Sequence, residues 1–236
     1  MKPTQVKITG SGRLYVIATP IGNLGDITYR AVETLKSVDL VACEDTRRTL
    51  KLLSHFGIRV PMVSCRAGNE KHSAEKIIAY LGEGKNIAYT SDAGTPCISD
   101  PGAVLVSLVV KSGYEVIPIP GASAFSSLMS VSGGKGKSVI FEGFLSPKAG
   151  KRRSRLKELL DMGISFVLYE SPFRILKILE DLVEFDSGRY ICVGREMTKL
   201  HEEYLRGSAE EVYNILAEKD EQIGEFSIFV SGNKAE

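Results

Sequence analysis

Ser91-Asp92-Ala93-Gly94-Thr95-Pro96-Cys97-Ile98-Ser99-Asp100-Pro101-Gly102 separates an apolar run, Ile87-Ala88-Tyr89, from the helical pattern Ala103-Val104-Leu105-Val106-Ser107-Leu108-Val109-Val110. The run reads as a buried strand, so the segment is strand, loop, helix, the repeating unit of an α/β fold. Open α/β sheets bind ligands just beyond the carboxyl ends of their strands, where this loop falls. Its glycines let the backbone approach a ligand, its prolines stiffen the turn, and its aspartates offer acceptors to hydroxyl or ammonium groups. Asp100 and Pro101 are expected to be the N-cap and first residue of the following helix. The preceding residues, Asp92 to Pro96, are more than a minimal βα connection needs and form the predicted ligand segment.

The alternation extends in both directions. Residues 13–18, 39–43, 62–65 and 115–119 read as strands. Between them, Asp26 or Thr28 caps a helix with Ala31, Val32 and Leu35 on its inner face. A second helix, residues 46–56, has Leu50, Leu52, Leu53 and Phe56 as its inner candidates, and a third spans 73–81. Strands alternating with helices predict a mostly parallel sheet. Pro118-Ile119-Pro120-Gly121-Ala122-Ser123 interrupts the pattern and is the predicted boundary, giving domains 1–119 and 120–236. In the second half, residues 138–142, 165–169, 190–194, 203–206 and 226–230 read as strands, and 153–160 and 172–182 as helices. Ser208-Ala209-Glu210-Glu211 is a capping-box pattern opening another helix. Shorter spacings and hairpins predict a mixed sheet there. The fold class is therefore two α/β domains, the first mostly parallel and the second mixed.

The chain has 236 residues and is 43% hydrophobic, enough for a substantial core. Its 30 Lys and Arg against 29 Asp and Glu leave a formal charge of +1, which excludes a globally basic nucleic-acid binder. Cys43, Cys65, Cys97 and Cys192 are scattered without a C-x-x-C, so neither a metal nor a disulfide framework is expected, and the pattern fits a reducing cytoplasm. The polar start, Met1-Lys2-Pro3-Thr4-Gln5, is unlike a signal peptide, and no apolar run has the length of a membrane span. Nucleotide fingerprints fail. Gly10-Ser11-Gly12 precedes a strand and lacks a third glycine, and Gly136-Lys137-Ser138 would put the first P-loop glycine at Val131 and is followed by a strand.

Three loops are predicted to converge on the carboxyl edge of the first sheet: Thr19 to Gly25, Asp92 to Pro96, and Pro120 to Ala124. The second half adds Tyr169-Glu170-Ser171-Pro172-Phe173-Arg174, with Pro172 at a helix start, and Arg195-Glu196-Met197-Thr198-Lys199-Leu200-His201-Glu202-Glu203. Lys148, Lys151, Arg152, Arg153, Arg155 and Lys157, with Lys135 and Lys137 nearby, form a basic cluster. Positive charge is unfavourable at a helix N-terminus, so its presence there points to a phosphate partner.

Taken in order, several stretches resemble the tetrapyrrole methylase superfamily. They are Ala18-Thr19-Pro20-Ile21-Gly22-Asn23-Leu24, Glu44-Asp45-Thr46-Arg47, Ser91 to Gly102, Pro120-Gly121-Ala122-Ser123-Ala124, Tyr169-Glu170-Ser171-Pro172, Arg195-Glu196-Met197-Thr198-Lys199, His201-Glu202-Glu203 and Gly224-Glu225. More narrowly, they are similar to its bacterial branch that methylates the ribose of a cytidine in 16S ribosomal RNA. The resemblance implies a ligand cleft between the two domains, S-adenosylmethionine as methyl donor, and a homodimer. It carries a donor-binding role onto Pro20, Asp92, Ala93, Gly94, Thr95, Ser123, Ala124 and Tyr169. Three departures stand out: Cys97 where the family usually has Gly, Phe173 where a His is common, and an end soon after the last strand where many members carry a further small domain.

A ribose hydroxyl is a poor nucleophile and is helped by a proton acceptor. The candidates are Glu170, Lys199, His201, Glu202 and Asp45; a neutral His suits neutral pH, and a Lys would need its pKa depressed. Lys148, Lys151, Arg152, Arg153 and Arg155 are the expected contacts to the RNA backbone, with an assembled small ribosomal subunit as the expected substrate. Two alternatives remain at this level: a carbon methylase of a tetrapyrrole ring, and a non-enzymatic RNA-binding factor of the same fold.

Overall fold

A computed structural model describes residues 12–134, 137–219 and 221–232, which divide into two compact units, one ending at Ser123 and the other beginning at Ala124. In the first, strands β1 (Arg13–Ile17), β2 (Leu40–Cys43), β3 (Met62–Ser64), β4 (Ile87–Thr90) and β5 (Glu115–Ile119) alternate with helices α1 (Tyr29–Ser37), α2 (Thr46–His55), α3 (Glu70–Gly82) and α4 (Ala103–Lys111). The sheet is wholly parallel, in the order β3-β2-β4-β1-β5. Side chains alternate across it with the period of two that strands impose. Leu14, Leu40, Ala42, Ile87 and Tyr89 pack against α3 and α4; Ile17, Val41, Cys43 and Ala88 pack against α1 and α2. Because β1 connects towards β2 and β4 connects towards β5, these neighbouring strands send their helices to opposite faces, the arrangement that opens a crevice at a sheet's carboxyl edge.

The structure chooses between the two cap candidates of α1, and other local details differ from expectation in two places. Thr28, not Asp26, caps α1, its hydroxyl accepting from Ala31 N. Leu50 is exposed, because Thr49, Leu52, Leu53 and Phe56 hold the i, i+3, i+4, i+7 stripe of α2. The helix after the ligand loop begins at Ala103, so Asp100 is not its N-cap and Pro101 is not its first residue. Gly102 occupies the cap with φ 122°, a left-handed conformation outside any helix.

The second unit holds α5 (Ala124–Val131), β6 (Val139–Phe144), α6 (Ala149–Asp161), β7 (Ser165–Glu170), α7 (Ile175–Asp186), β8 (Tyr190–Arg195), β9 (Glu203–Ser208), α8 (Ala209–Ala217) and β10 (Phe226–Val230). Its sheet runs β6-β7-β10-β8-β9, parallel between β6 and β7 and antiparallel elsewhere, the mixed sheet expected. A single core joins one face to Leu156, Leu159, Ile178, Leu182, Val212 and Leu216 of α6, α7 and α8. The opposite face receives α5, since a Cβ on Gly194 would lie 3.1 Å from Leu128. The capping box forms as read, with Ser208 and Glu211 satisfying each other's backbone N–H. Pro172 precedes α7, which starts at Ile175, so it is not the first helical residue. Lys135 and Gly136, along with Gly10 and Ser11, lie outside the described residues.

Candidate functional site

The carboxyl ends of β4, β1 and β5 are adjacent, and their loops are hydrogen-bonded to one another. Thr19 and Gly94 form an isolated antiparallel bridge, and Thr95 Oγ1 donates to Ala122 O at 3.1 Å. A Cβ on Gly121 would fall 3.1 Å from the Ala18 Cβ, so only a glycine passes there without displacing its neighbour. Pro20, Asp92, Ala93, Gly94 and Thr95 are thereby brought to one edge with the segment ending in Ala122 and Ser123. The ligand loop is backbone-constrained along its length: Gly94, Cys97, Ser99 and Gly102 all have positive φ. It is held from below by Glu70, a buried carboxylate at the start of α3 that accepts the Gly102 N–H. Sequence reasoning missed Glu70, because an acidic residue in the first turn of a helix ordinarily serves the helix dipole from solvent.

Asp92 sits between two depressions. The larger, about 430 Å³, is lined by Glu44, Asp45, Thr46, Arg47, Ser64, Arg66 and Asp92. The smaller, about 140 Å³, is lined by Thr19, Pro20, Leu24, Arg48, Thr49, Lys51, Leu52, Ser91 and Asp92. Asp92 Oδ1 accepts the Asp45 N–H at 3.0 Å, its own N–H reaches Glu44 Oε2 at 3.3 Å, and its Oδ2 lies 3.5 Å from Arg48 Nε. Burial pushes the Glu44 carboxyl above its ordinary pKa, only partly offset by the Asp92 N–H. Asp45 is held well below the usual range by the Arg47 guanidinium and the Arg47 N–H, which it accepts as N-cap of α2. Its carboxylate stays ionised and committed, and so is unsuited to accept a proton.

In the second unit, the Tyr169 hydroxyl accepts the Phe125 N–H at 2.8 Å, fixing the start of α5, and its ring packs edge-on against Phe141 and Phe144. Ala124 is the first residue of that helix. Glu170 is buried; its Oε1 accepts from Ser171 N at 2.7 Å, and its Oε2 lies 2.9 Å from Arg174 Nη2. The segment from Arg195 to Glu203 is a tight turn, with Glu196 and Thr198 at positive φ. Lys199 Nζ bridges Glu196 and Glu225 at 2.8 and 2.9 Å. Burial pulls the Lys199 ammonium down, but the two carboxylates outweigh it and its pKa is raised. In this arrangement Lys199 is a charged strut of the turn, held between two carboxylates. Glu202 accepts from Thr198 N at 2.9 Å and from the Tyr204 hydroxyl at 2.7 Å, and these bonds lower its pKa. His201 is exposed, with no hydrogen bond or ion pair among the described residues.

The basic cluster is rearranged by its partners. Arg152 is 7% exposed and its Nε donates to Asp181 Oδ2 at 2.7 Å, so this expected phosphate contact is a core ion pair of α6 and α7. Arg153 spends its donors on Asp181 and Glu184, and Arg155 on Glu142 and Glu158. Lys148, Lys151 and Lys157 stay exposed.

A model of the family described as tetrapyrrole (corrin/porphyrin) methylases matches residues 13–213. The chain belongs to this family. Within it, the chain is 47% identical over 219 residues to the Ribosomal RNA small subunit methyltransferase I of Borrelia garinii, covering 92% of this chain and 98% of that one. The protein of the same name from Thermotoga maritima is 45% identical, covering 94% and 100%. That of Bacillus subtilis is 43% identical, covering 95% and 77%. Among solved structures, the uroporphyrin III C-methyl transferase of Thermus thermophilus superposes with a TM-score of 0.64 at 16% identity, over 92% of this chain and 97% of the other, a likeness of fold.

Cys97 adopts φ 70°, the left-handed region that glycine enters most readily. Phe173 is 88% exposed on the loop before α7. No group of three or more His, Cys, Asp or Glu among the described residues is placed to hold a metal ion. No helix among them is long and apolar enough to cross a membrane. The larger depression at the Asp92 edge is within the size range of small-molecule sites and is lined by both carboxylates and guanidinium groups.

Proposed function

We propose that this chain transfers a methyl group from S-adenosylmethionine to the ribose 2'-hydroxyl of a cytidine in 16S rRNA. One observation carries the reading: 43–47% identity, over more than nine tenths of this chain, to proteins named Ribosomal RNA small subunit methyltransferase I. The tetrapyrrole ring methylase alternative has only the fold in its favour, at 15–16% identity.

The donor supplies an already activated methyl on a sulfonium. What remains for the protein is to align the acceptor oxygen, exclude water and take up a proton. Pro20, Asp92, Ala93, Gly94 and Thr95, with Ser123, Ala124 and Tyr169, hold the donor. The Asp92 carboxylate and the backbone of the bridged loops are the polar groups that orient it. Of the candidate bases, Lys199 is kept charged by two carboxylates, and Glu170 is buried against Arg174. Glu202 is tied to Thr198 and Tyr204. This leaves the His201 imidazole to accept the hydroxyl proton. The enzyme acts in the cytoplasm as a homodimer, on the assembled small subunit, in keeping with a chain too balanced in charge to grip free RNA along its whole surface.

Mass spectrometry of nucleosides from the 16S rRNA of cells lacking this protein tests the reading. One 2'-O-methylcytidine is expected to disappear and to return with the wild-type gene. An unchanged nucleoside profile would overturn it.

A further inference from the structure

From Thr46 to Asn69 the chain carries five basic residues, Arg47, Arg48, Lys51, Arg59 and Arg66, and no Asp or Glu, in a protein whose overall charge is only +1. Four of the five gather at the carboxyl edge of the parallel sheet. Arg47, Arg48 and Lys51 lie on the first turns of α2, and Arg66 follows β3, the strand beside β2. Arg47 and Arg66 border the larger depression and Arg48 and Lys51 the smaller, with Asp92 common to both.

All four are exposed, and the Arg47 and Arg48 side chains retain 88% and 65% of their accessible surface. Lys51 and Arg66 make no side-chain hydrogen bond or ion pair among the described residues. The contrast with α6 is direct, since its three arginines are all spent on carboxylates. Cations at the amino end of a helix oppose its dipole, and here Asp45 and Asp92 offset them in part, through Arg47 and Arg48. A polyanion laid along this edge would relieve that repulsion.

We infer that Arg48, Lys51 and Arg66, with Arg47, bind the phosphodiester backbone of the substrate RNA beside the Asp92 edge. The inference rests on the rRNA reading above and relocates the RNA contact from α6 to α2 and the β3–α3 loop. Phosphate contacts of this kind position the RNA without reading its sequence.

The test is the salt dependence of binding to small ribosomal subunits purified from cells lacking this protein. Each phosphate contact contributes roughly 0.7–0.9 to the slope of log affinity against log salt. Lys51→Ala/Arg66→Ala is expected to reduce that slope by about 1.5 and to weaken binding about tenfold or more at ~0.1 M salt. Its melting temperature remains that of the parent. Lys76→Ala/Lys177→Ala, an equal charge change elsewhere, keeps the parental slope. A double variant with the parental slope and affinity overturns the inference while leaving the methylation reading intact. RNA binding that depends on Lys51 and Arg66, in a protein whose loss does not alter 16S ribose methylation, overturns the methylation reading alone. A parent that binds the donor but not the small subunit overturns both.

Discussion

Thr19 and Gly94 exchange both backbone hydrogen bonds, Thr19 N to Gly94 O at 2.8 Å and Gly94 N to Thr19 O at 3.0 Å, although neither lies in a strand. The bridge ties the loop after β1 to the loop after β4, the two connections that leave for opposite faces of the sheet. It turns two flexible crossings into one surface on which Pro20 and Asp92 have fixed positions.

Gly94 makes that bridge with φ 73°, and an added Cβ would stand 3.2 Å from Ile21 Cγ2. Gly94→Ala is expected to cost about 1–2 kcal/mol in urea unfolding, the penalty of a left-handed non-glycine residue. Donor affinity measured by calorimetry falls with it, because the loops separate. Unchanged stability and affinity would show that the bridge does not constrain the edge.

Asp92 has two separable roles, acceptor for the Asp45 N–H and carboxylate facing the ligand edge. Asp92→Asn keeps an acceptor and the parental melting temperature but loses donor affinity tenfold or more. Asp92→Ala loses that affinity and about 1 kcal/mol of stability with the hydrogen bond. Full donor affinity in the folded Asn variant would remove the carboxylate from the binding site.

Arg152 and Asp181 form a pair in which both side chains are under 10% exposed. Arg152→Ala leaves the buried Asp181 carboxylate with Arg153 as its remaining cationic partner and is expected to destabilise the protein by about 1.5–3 kcal/mol, the worth of a charge-assisted hydrogen bond. Replacing both partners, as Arg152→Met/Asp181→Leu, restores most of the loss. A single variant that folds normally and binds RNA poorly would return Arg152 to the RNA surface.

Lys199 has a raised pKa and Glu196 a lowered one; for Glu196, burial opposes ionisation, and the Lys199 and Glu225 hydrogen bonds overcome it. The signs fix the pH response. The Lys199 contribution to stability is full below the ordinary lysine value and is lost as pH rises through its raised value. The Glu196 contribution is full above the ordinary carboxylate value and is lost as pH falls through its lowered value. The turn is therefore most stable between those limits. Lys199→Arg, which keeps the charge, is expected to retain methylation within a few-fold and to leave the pH–rate profile unshifted. Loss of activity in the Arg variant with stability intact would make Lys199 the base after all.

The architecture was legible because it is written in local periods. Ile87-Ala88-Tyr89 followed by a helical pattern is a strand and a helix whatever surrounds it, and Ser208 with Glu211 caps α8 from within one turn. Leu50 was legible too, had the stripe Thr49, Leu52, Leu53, Phe56 been weighed by spacing and not by apolarity. Glu70 and Pro101 were not. Pro101 follows helix-end rules that hold on average, while here the Gly102 conformation and its bond to Glu70, a contact between residues far apart in sequence, displace the helix start.

By itself the sequence determined the alternation of strands and helices, the parallel and mixed sheets, and the loops that fall at strand ends. Each follows from the backbone period of a short segment or from the residue types that tight turns demand. Only the tertiary structure decided which charges are free. Arg152 meets Asp181 across 29 residues, while Lys51 and Arg66 meet no carboxylate among the described residues. A charge's partner is set by which helices the core presses together, and no local pattern encodes that.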